Sequence, residues 1–410
     1  MFLIQVIKGK LYFPIAHYFR FFAKIQLLIW NPRIIVITGS SGKTTLLHLL
    51  ESQIGDRAEY SHQANSSFGI PFDILGLKRK TLTFDEWPKL FFLAPFKAFQ
   101  KIHKKNLYIV EADCDRVGEG KFLATLLKPE VTIWLSSTRT HSMNFPEPEE
   151  ENIASEFGNF LEYTSKRIFI NGDSSLIKKI ARNDGENLEF ITQKGHLVDY
   201  KIQIDSTIFN INGKLYKFNF ILPKETFYQI MATLKILKYL DIQIDPSFSK
   251  FQLPPGRSSV FKGIKNTTII DSSYNADLES VRVMLNMFDQ FPATNKWVAL
   301  GDLVEQGELE KEEHEKLIPV LSSMNLKKII LAGPRLEKYV HPKVESVSFI
   351  SPADALKYIK ENISGGETIF FKGARFLEGI IEHLLINKSD ITRLCRREKV
   401  WQERRKKWEL

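Results

Sequence analysis

Residues 34–52 read IIVITGSSGKTTLLHLLES, an apolar β-branched run followed by a glycine-rich turn and then by leucines at helical spacing. This order predicts a strand, a phosphate-binding loop and a helix, because backbone N–H groups at a helix N-terminus can close on a phosphate. Lys43 would supply a positive charge, and the Thr44 hydroxyl can ligate Mg²⁺. The alternative is an ordinary glycine-rich turn. We favour nucleotide binding, through residues Gly39, Ser40, Ser41, Gly42, Lys43, Thr44 and Thr45.

The first half of the chain alternates short apolar runs with helical stretches. The strand-like runs are IIVIT, NLYIVEAD, EVTIWLSS and KRIFING, and their near-continuous apolar character is typical of buried parallel strands. Residues 187–222 instead alternate polar and apolar positions between Gly and Asn turns, which predicts antiparallel hairpins attached to the same sheet. We therefore predict an α/β class, with a P-loop parallel-sheet ATPase domain and an added antiparallel β segment over residues 31–250.

A second domain is predicted beyond the segment QLPPGRSSV, whose prolines and glycine cannot continue a helix. The runs TTIIDSSYNA, KWVALGD, KKIILAGP and ETIFFKGA are apolar strands that end in small or polar turns. Their alternation with helical stretches predicts a smaller Rossmann-like α/β domain over residues 251–388. Ligands of such folds bind at the carboxyl ends of the strands, where these polar residues fall.

Composition and charge limit the class of protein. A chain of 410 residues with 43% hydrophobic residues is globular, and two cysteines, Cys114 and Cys395, provide neither a disulfide framework nor a zinc site. We therefore expect a reducing compartment, the cytoplasm. The net charge of +9 is matched by +5 in residues 1–33 and +4 in residues 389–410, so the remaining body is neutral. A neutral body argues against a nucleic-acid partner.

Both ends of the chain carry basic and aromatic residues. In the leader segment, residues 1–30, Lys10, Arg20 and Lys24 interrupt apolar runs that are too short to span a bilayer. This segment either makes a peripheral contact with an anionic membrane surface, at its inner face, or packs on the protein as a helix. The basic tail, residues 389–410, places Leu394, Trp401 and Trp408 on a predicted helix. One stripe of that helix either packs on the body or contacts an acidic partner or membrane.

Further motifs follow the phosphate loop. They are NSSFGIP (65–71), VEADCDRVGE (110–119), SSTRTHSMNF (136–145), GRSSV (256–260), IIDSSYNADLESV (269–281), LGDLVEQGELEKEEH (300–314) and FKGAR (371–375). Together with TGSSGKTT they resemble the Mur ligase superfamily, ATP-dependent amide ligases of cell-wall synthesis, over roughly residues 34–385. The pair DSSYNA and LGDLVEQGE is similar to the MurF branch. The resemblance implies a ligase in which a carboxylate attacks the γ-phosphate of ATP and an amine then displaces phosphate from the acyl phosphate.

The resemblance also implies roles for single residues. ATP and Mg²⁺ are the expected cofactors, with Thr44, Glu111 and His141 as metal ligands. Lys43, His141 and Arg257 are the expected catalytic residues, and Arg257 is expected to act as a cationic clamp at the junction of the two domains. Besides the loop, the expected nucleotide contacts are Asn171, Arg257, Asp271, Tyr274 and Asn275.

The chain departs from the family pattern in several places. Phe157 takes the position of a family lysine that ligates a further Mg²⁺, so either Glu156 replaces it or that metal is held differently. Glu225 and Gln229 stand where the family has a histidine and an asparagine, and Ser272 replaces an aspartate. The family's N-terminal domain, which binds the uridine diphosphate end of the substrate, is expected to be absent, since the loop begins after about thirty residues.

The substrates follow from the family with alternatives. We expect a small-molecule or lipid-linked peptide precursor and an amino acid or dipeptide, D-alanyl-D-alanine being the family's amine. A ligase for another peptide or polymer, such as a glutamate chain, is a second hypothesis. A non-catalytic nucleotide-binding regulatory protein is a third, suggested by Phe157, Glu225 and Gln229.

Overall fold

The computed structural model describes residues 2–62, 64–80, 84–139, 142–181, 187–342, 344–373 and 376–410, and for residues 2–10 and 84 it describes the backbone alone. The chain divides into two compact units. The first comprises Met1–Arg139, Asn144–Gln193 and Tyr228–Ile244, and the second comprises Thr140–Met143, Lys194–Phe227 and Asp245–Leu410. The limits given above for the two domains, 31–250 and 251–388, stay a prediction.

The first unit is built on a six-stranded parallel sheet. Its strands are β1 (Arg33–Thr38), β2 (Glu59–Tyr60), β3 (Leu107–Ala112), β4 (Val131–Trp134), β5 (Arg167–Asn171) and β6 (Leu188–Ile191), in the order β2-β3-β1-β4-β5-β6. The four predicted strand runs are confirmed as β1, β3, β4 and β5. The chain leaves β1 toward one edge of the sheet and leaves β4 toward the other. The carboxyl ends of these neighbours therefore flank the crevice in which such sheets bind ligands.

Eight α-helices of the described residues belong wholly or mainly to this unit. They are α1 (Phe2–Trp30), α2 (Lys43–Ile54), α3 (Gly69–Ile74), α4 (Trp87–Ala98), α5 (Glu119–Leu127), α6 (Glu150–Glu162), α7 (Ser175–Ile180) and α8 (Thr226–Tyr239). Helix α1 packs on α3 and α4 because Ala16, Phe19 and Ala23, spaced by three or four residues, form a buried stripe. The prediction that the leader packs on the protein is thus confirmed for residues 11–30. No helix among the described residues is long and apolar enough to cross a membrane.

The second unit contains a small antiparallel sheet of β7 (Leu197–Ile202), β8 (Thr207–Ile211) and β9 (Lys214–Phe218). The hairpins predicted for residues 187–222 are confirmed for residues 197–218, whereas residues 188–191 form the parallel strand β6. The predicted attachment of the hairpins to the large parallel sheet is wrong. The edge of that sheet is β6, which pairs in parallel with β5, and within the described residues β7, β8 and β9 pair only with one another. Alternating burial along β8 puts one face of this small sheet into a core.

A second six-stranded sheet has the order β10-β11-β15-β12-β13-β14, in which only the edge strand β10 runs antiparallel. Its strands are β10 (Ser259–Gly263), β11 (Thr267–Ser272), β12 (Lys296–Gly301), β13 (Lys328–Ala332), β14 (Ser346–Phe349) and β15 (Thr368–Lys372). The accompanying helices are α9 (Leu278–Gln290), α10 (Glu310–Glu315), α11 (Leu317–Ser323), α12 (Pro334–Tyr339), α13 (Pro352–Asn362), α14 (Leu377–Leu384) and α15 (Lys399–Lys406). Buried apolar side chains fill both faces, which confirms the Rossmann-like prediction.

The basic tail packs on the second unit, but not as one long helix. Leu394 is buried in extended backbone before α15, and Trp408 follows the end of α15, so the predicted stripe of three residues on one helix is wrong. Arg396 and Arg405 both pair with the fully buried carboxylate of Glu378. Part of the tail's positive charge is therefore neutralised inside the unit.

Candidate active site

The loop after β1 has the backbone of a phosphate cradle. Gly39 and Gly42 have φ values of +120° and +79°, which side chains other than glycine rarely adopt. A Cβ on Gly39 would lie 2.6 Å from the carbonyl oxygen of Ser136, so the loop can approach the end of β4 only with glycine there. Ser136 in turn holds the loop, since its Oγ accepts from the Ser41 N–H at 2.8 Å and donates to the Ser41 carbonyl at 2.7 Å.

Lys43, the first residue of α2, is buried beneath this loop. Its Nζ lies 2.9 Å from Oδ2 of Asp113 and donates to the Gly39 carbonyl at 2.5 Å. Burial by itself would lower the pKa of Lys43, but the carboxylates of Asp113, Glu111 and Asp115 more than offset it and raise the pKa above its ordinary value. The side chain is therefore a permanent cation fixed against the loop backbone.

Thr44 and Glu111 contact each other at the carboxyl ends of the neighbouring strands β1 and β3. The Thr44 hydroxyl donates to Oε2 of Glu111 at 3.1 Å, and Glu111 is buried at the end of β3. The Glu111 backbone N–H donates to Oγ of Ser61 at 2.9 Å, which fixes the strand end. A hydroxyl and a carboxylate are the oxygen ligands that Mg²⁺ prefers, so these two residues fit the ion. His141, the third predicted ligand, lies outside the described residues.

Asn171 ends β5 on the same side of the sheet. Its amide nitrogen donates to the Leu135 carbonyl at 3.0 Å, and its side-chain oxygen accepts from the Asp173 N–H at 2.9 Å. In this structure both ends of the amide thus organise the turn after the strand. Thr45 lies in the first turn of α2 and is partly buried.

The second unit presents the segment DSSYNA (271–276), which begins in the last two residues of β11 and continues into the loop after it. Asp271 is fully buried and accepts from the N–H and the hydroxyl of Ser273, at 2.9 and 2.6 Å. Burial raises the pKa of Asp271 to about 6, against the opposing effect of the hydrogen bonds from Ser273. Tyr274 and Asn275 are exposed, and the Arg257 guanidinium lies 4.7 Å from the centre of the Tyr274 ring. Arg257, Tyr274 and Asn275 are therefore the predicted residues of this unit that gather at one surface.

The remaining residues of this motif build the loop. Asp277 and Ser280 form a capping box at the start of α9, with the Ser280 N–H donating to Asp277 Oδ1 at 2.9 Å. In LGDLVEQGE, Asp302 is buried and accepts from the Leu336 N–H at 3.0 Å, at the start of α12. His314 Nε2 accepts from the Leu303 N–H at 3.1 Å, and burial lowers the pKa of this histidine. These side chains hydrogen-bond to backbone N–H groups and hold the loops in place, so we do not assign them to ligand contacts.

Comparison with known proteins gives these motifs a family. The Mur ligase middle domain matches residues 37–230, and the Mur ligase, glutamate ligase domain, matches residues 256–375. The chain belongs to the Mur ligase family. The UDP-N-acetylmuramoyl-tripeptide–D-alanyl-D-alanine ligase of Bacillus subtilis is 24% identical over 385 residues, covering 88% of this chain and 78% of the relative. The ligase of the same name from Borreliella burgdorferi is 25% identical, covering 73% of this chain and 62% of the relative.

The fold agrees with that assignment. The MurF ligase from Thermotoga maritima in complex with ADP superposes with a TM-score of 0.73 at 21% identity, covering 90% of this chain and 83% of the other. The two family domains and the MurF relatives make the chain a Mur ligase of the MurF type, an ATP-dependent ligase. Both curated relatives are named for a UDP-linked precursor, so the lipid-linked precursor considered above has no support among them.

The departures from the Mur ligase pattern now have a structural setting. Phe157 is fully buried, with its ring centre 6.3 Å from that of Trp134, so it is a core residue. Glu156 accepts from the N–H groups of Gly118 and Gly120, at 2.8 and 2.9 Å, at the start of α5. Its carboxylate is therefore already engaged in anchoring that helix.

Three residues of this Mur ligase were not recognised from the sequence as parts of the site. Asp113 pairs with Lys43, and Gln229 of α8 lies so close that a Cβ on Gly42 would meet its Nε2 at 2.2 Å. Lys372 at the end of β15 is buried and donates to the Asn275 carbonyl at 2.5 Å. Burial lowers its pKa to about 8, with Asp277 opposing. A lysine at the end of an apolar strand, in FKGAR, was the available signal.

Proposed function

We propose that this chain joins D-alanyl-D-alanine to the peptide carboxylate of a UDP-N-acetylmuramoyl tripeptide and converts ATP to ADP and phosphate. The reaction that names the curated relatives supports this assignment. The observation that carries it is the geometry of the loop 39–44. Its Lys43 is buried and charged, and its Thr44 donates to Glu111 at the carboxyl end of β3. We place the reaction in the cytoplasm, in keeping with the two free, buried cysteines.

The first chemical step makes the carboxylate reactive. A carboxylate oxygen attacks the γ-phosphorus of ATP, the bond from that phosphorus to the bridging oxygen breaks, and ADP leaves. Lys43 and the loop N–H groups offset the charge on the phosphate oxygens, which is the main way that proteins catalyse phosphoryl transfer. Thr44, Glu111 and His141 would hold Mg²⁺, whose positive charge would further offset the charge on the phosphate oxygens.

The second step forms the amide. The amine nitrogen of the dipeptide attacks the acyl carbon, the bond from that carbon to the phosphate oxygen breaks, and phosphate leaves with its electron pair while the amine loses a proton. We assign Arg257, Tyr274 and Asn275 to nucleotide or phosphate contacts, because the Arg257 guanidinium, a group suited to phosphate, lies against the exposed Tyr274 and Asn275 is exposed next to Tyr274. Thr45, Asn171 and Asp271 stay predicted contributors to nucleotide binding.

The test is phosphate release by the purified full chain with ATP and Mg²⁺. The two substrates are supplied together and singly, and the product is identified by mass spectrometry. Release that requires both substrates, with the matching amide, is expected. A parallel reaction with L-glutamate as the amine tests the polymer hypothesis. The Thr44→Val variant, which keeps the size of the side chain but removes the hydroxyl, is expected to lose activity.

Two results would contradict the proposal. Turnover with glutamate but not with D-alanyl-D-alanine would assign the chain to a polymer-forming ligase. ATP binding without phosphate release under any combination of substrates would favour the non-catalytic hypothesis. The structural observation behind that hypothesis is the buried Phe157 at the position of the family lysine.

A further inference from the structure

Helices α1 and α4 expose aromatic and aliphatic side chains instead of the polar residues that usually cover a surface helix. Phe21 of α1 is 60% exposed, and Phe92, Phe96 and Phe99 in and just after α4 are 67%, 57% and 68% exposed. Leu28 of α1 is exposed as well. Single exposed apolar residues are normal, but several large ones on two neighbouring helices indicate an interaction surface. We call these five residues the aromatic face.

The two helices form one firm element rather than a loose leader. The Tyr18 ring lies 4.9 Å from that of Phe91, and its hydroxyl donates to the Phe91 carbonyl at 2.8 Å. Phe19 is fully buried and its ring lies 5.0 Å from that of Phe91. Because the inner sides of α1 and α4 are anchored in this way, the aromatic face does not need to fold on binding.

Charge is concentrated on the same two segments. Residues 1–33 and 87–105 contain no aspartate or glutamate, and each has five lysines and arginines. The second set was not recognised from the sequence as a basic segment, since the body appeared neutral only as an average. Together the two segments hold ten positive charges, one more than the net charge of the whole chain. Lys24, Lys89 and Lys101 are exposed beside the aromatic side chains in the sequence.

We propose that α1 and α4 together dock this protein on an anionic lipid bilayer, lying on its surface. Aromatic side chains favour the boundary between headgroups and acyl chains, and lysines near it are attracted to anionic lipids. A second copy of the chain is a poor occupant, because the exposed lysines of this surface, Lys24, Lys89 and Lys101, would meet another surface of the same positive charge. This proposal is independent of the proposed ligase reaction, since no residue of the aromatic face belongs to the catalytic machinery.

The test is flotation of the full chain with neutral phosphatidylcholine vesicles and with vesicles containing phosphatidylglycerol. We expect binding to the anionic vesicles that is at least about tenfold tighter and that weakens as salt is added. Phe92→Gln/Phe96→Gln should lower this binding about tenfold or more, whereas Phe190→Gln, at an exposed phenylalanine of β6, should not. Lys97→Gln/Lys101→Gln should lower it about fivefold per lysine, and Lys178→Gln/Lys250→Gln should leave it unchanged.

Three outcomes of the flotation would overturn the proposal. They are equal binding to both kinds of vesicle, no binding to either, and unchanged binding by the phenylalanine pair variant. Light scattering that shows a dimer in the wild type and a monomer in Phe92→Gln/Phe96→Gln would assign the aromatic face to a second copy instead. Ligase activity without vesicles should be the same in wild type and variants, so a failed ligase assay and a failed flotation are separate results.

Discussion

The two units use their motif residues differently. In the first unit the residues that would touch phosphate and metal, Lys43, Thr44 and Glu111, lie on one short loop and the end of one neighbouring strand. In the second unit many side chains of the DSSYNADLESV motif hydrogen-bond within the motif and hold its loop in place. Arg396, more than 120 residues away, also donates a hydrogen bond to this loop. A motif whose chemical residues follow one another along the chain, as Lys43 and Thr44 do, is therefore easier to interpret than one whose residues mainly support each other.

The largest effect should come from Lys43, because its charge is both buried and central to the loop. Lys43→Ala should reduce phosphate release about a thousandfold. The change leaves Asp113 without its ion pair, so Lys43→Ala/Asp113→Asn is the matched variant: it removes the orphaned charge, and we expect it to recover stability but not turnover. Activity near the wild-type level in either variant would refute the central role of the loop.

The stability of the second unit should depend on pH, because the carboxyl group of Asp271 is buried. The ordinary pKa of Asp271 is near 3.8 and burial raises it to about 6, so between these values the native state holds a proton that the unfolded chain has lost. Stability should therefore fall as pH rises through this window, by about 3 kcal/mol for a shift of this size. In Asp271→Asn this fall should disappear. Hydrogen exchange of the β11 amides, monitored as urea is added, measures the stability of the second unit by itself.

A control for that pH profile is Asp245→Asn. Hydrogen bonds from Ser247 and Ser249 hold the pKa of the exposed Asp245 at about 2, so its titration lies below the window. The slope between pH 4 and 6 should therefore persist in this variant. If Asp271→Asn kept the same slope as the wild type, the buried carboxyl would not be its source.

The loss of stability caused by a side chain at Gly42 can be separated into backbone strain and a steric contact with Gln229. Gly42→Ala should lower the free energy of unfolding by about 1–3 kcal/mol, because the residue has a positive φ and a Cβ would meet Gln229. Gly55→Ala is the control, since Gly55 also has a positive φ but nothing lies within 4 Å of its Cβ. Gly42→Ala/Gln229→Ala should recover only the contact part. Equal losses at both glycines would show that Gln229 does not press on the loop.

The sequence predicted what depends on local pattern. The strand, loop and helix of residues 33–54 follow from hydrophobic periodicity and glycine placement, and Lys43 and Thr44 of the phosphate site lie within this pattern. Phe157 was noticed only as a missing ligand, since its role in the core depends on Trp134, more than twenty residues away. Charge averaged over a long body likewise concealed the basic segment of α4, because acids elsewhere cancel it.

Contacts between distant residues were beyond such a pattern. Gln229 was compared with a family asparagine, yet only the packing of α8 shows that it touches Gly42. Leu394, Trp401 and Trp408 have helical spacing, but the backbone at Leu394 is extended and its side chain is buried in the apolar core of the second unit. In both cases tertiary packing, which spacing does not encode, decided the outcome.

The smallest expected effect tests whether the tail supports the DSSYNA loop. Arg396 donates to the carbonyls of Ser273 and Tyr274, at 3.1 and 2.5 Å, so Arg396→Ala should destabilise the second unit by about 1–2 kcal/mol. Arg396→Lys should recover only part of this, because a single ammonium cannot reproduce the planar two-pronged contact. Arg393→Ala removes an exposed tail arginine paired with Asp390 and should change stability by less than about 0.5 kcal/mol. If the two alanine variants behaved alike, the tail would only cover the unit. A specific loss for Arg396, together with a raised KM for ATP, would show that the loop depends on a residue far along the chain.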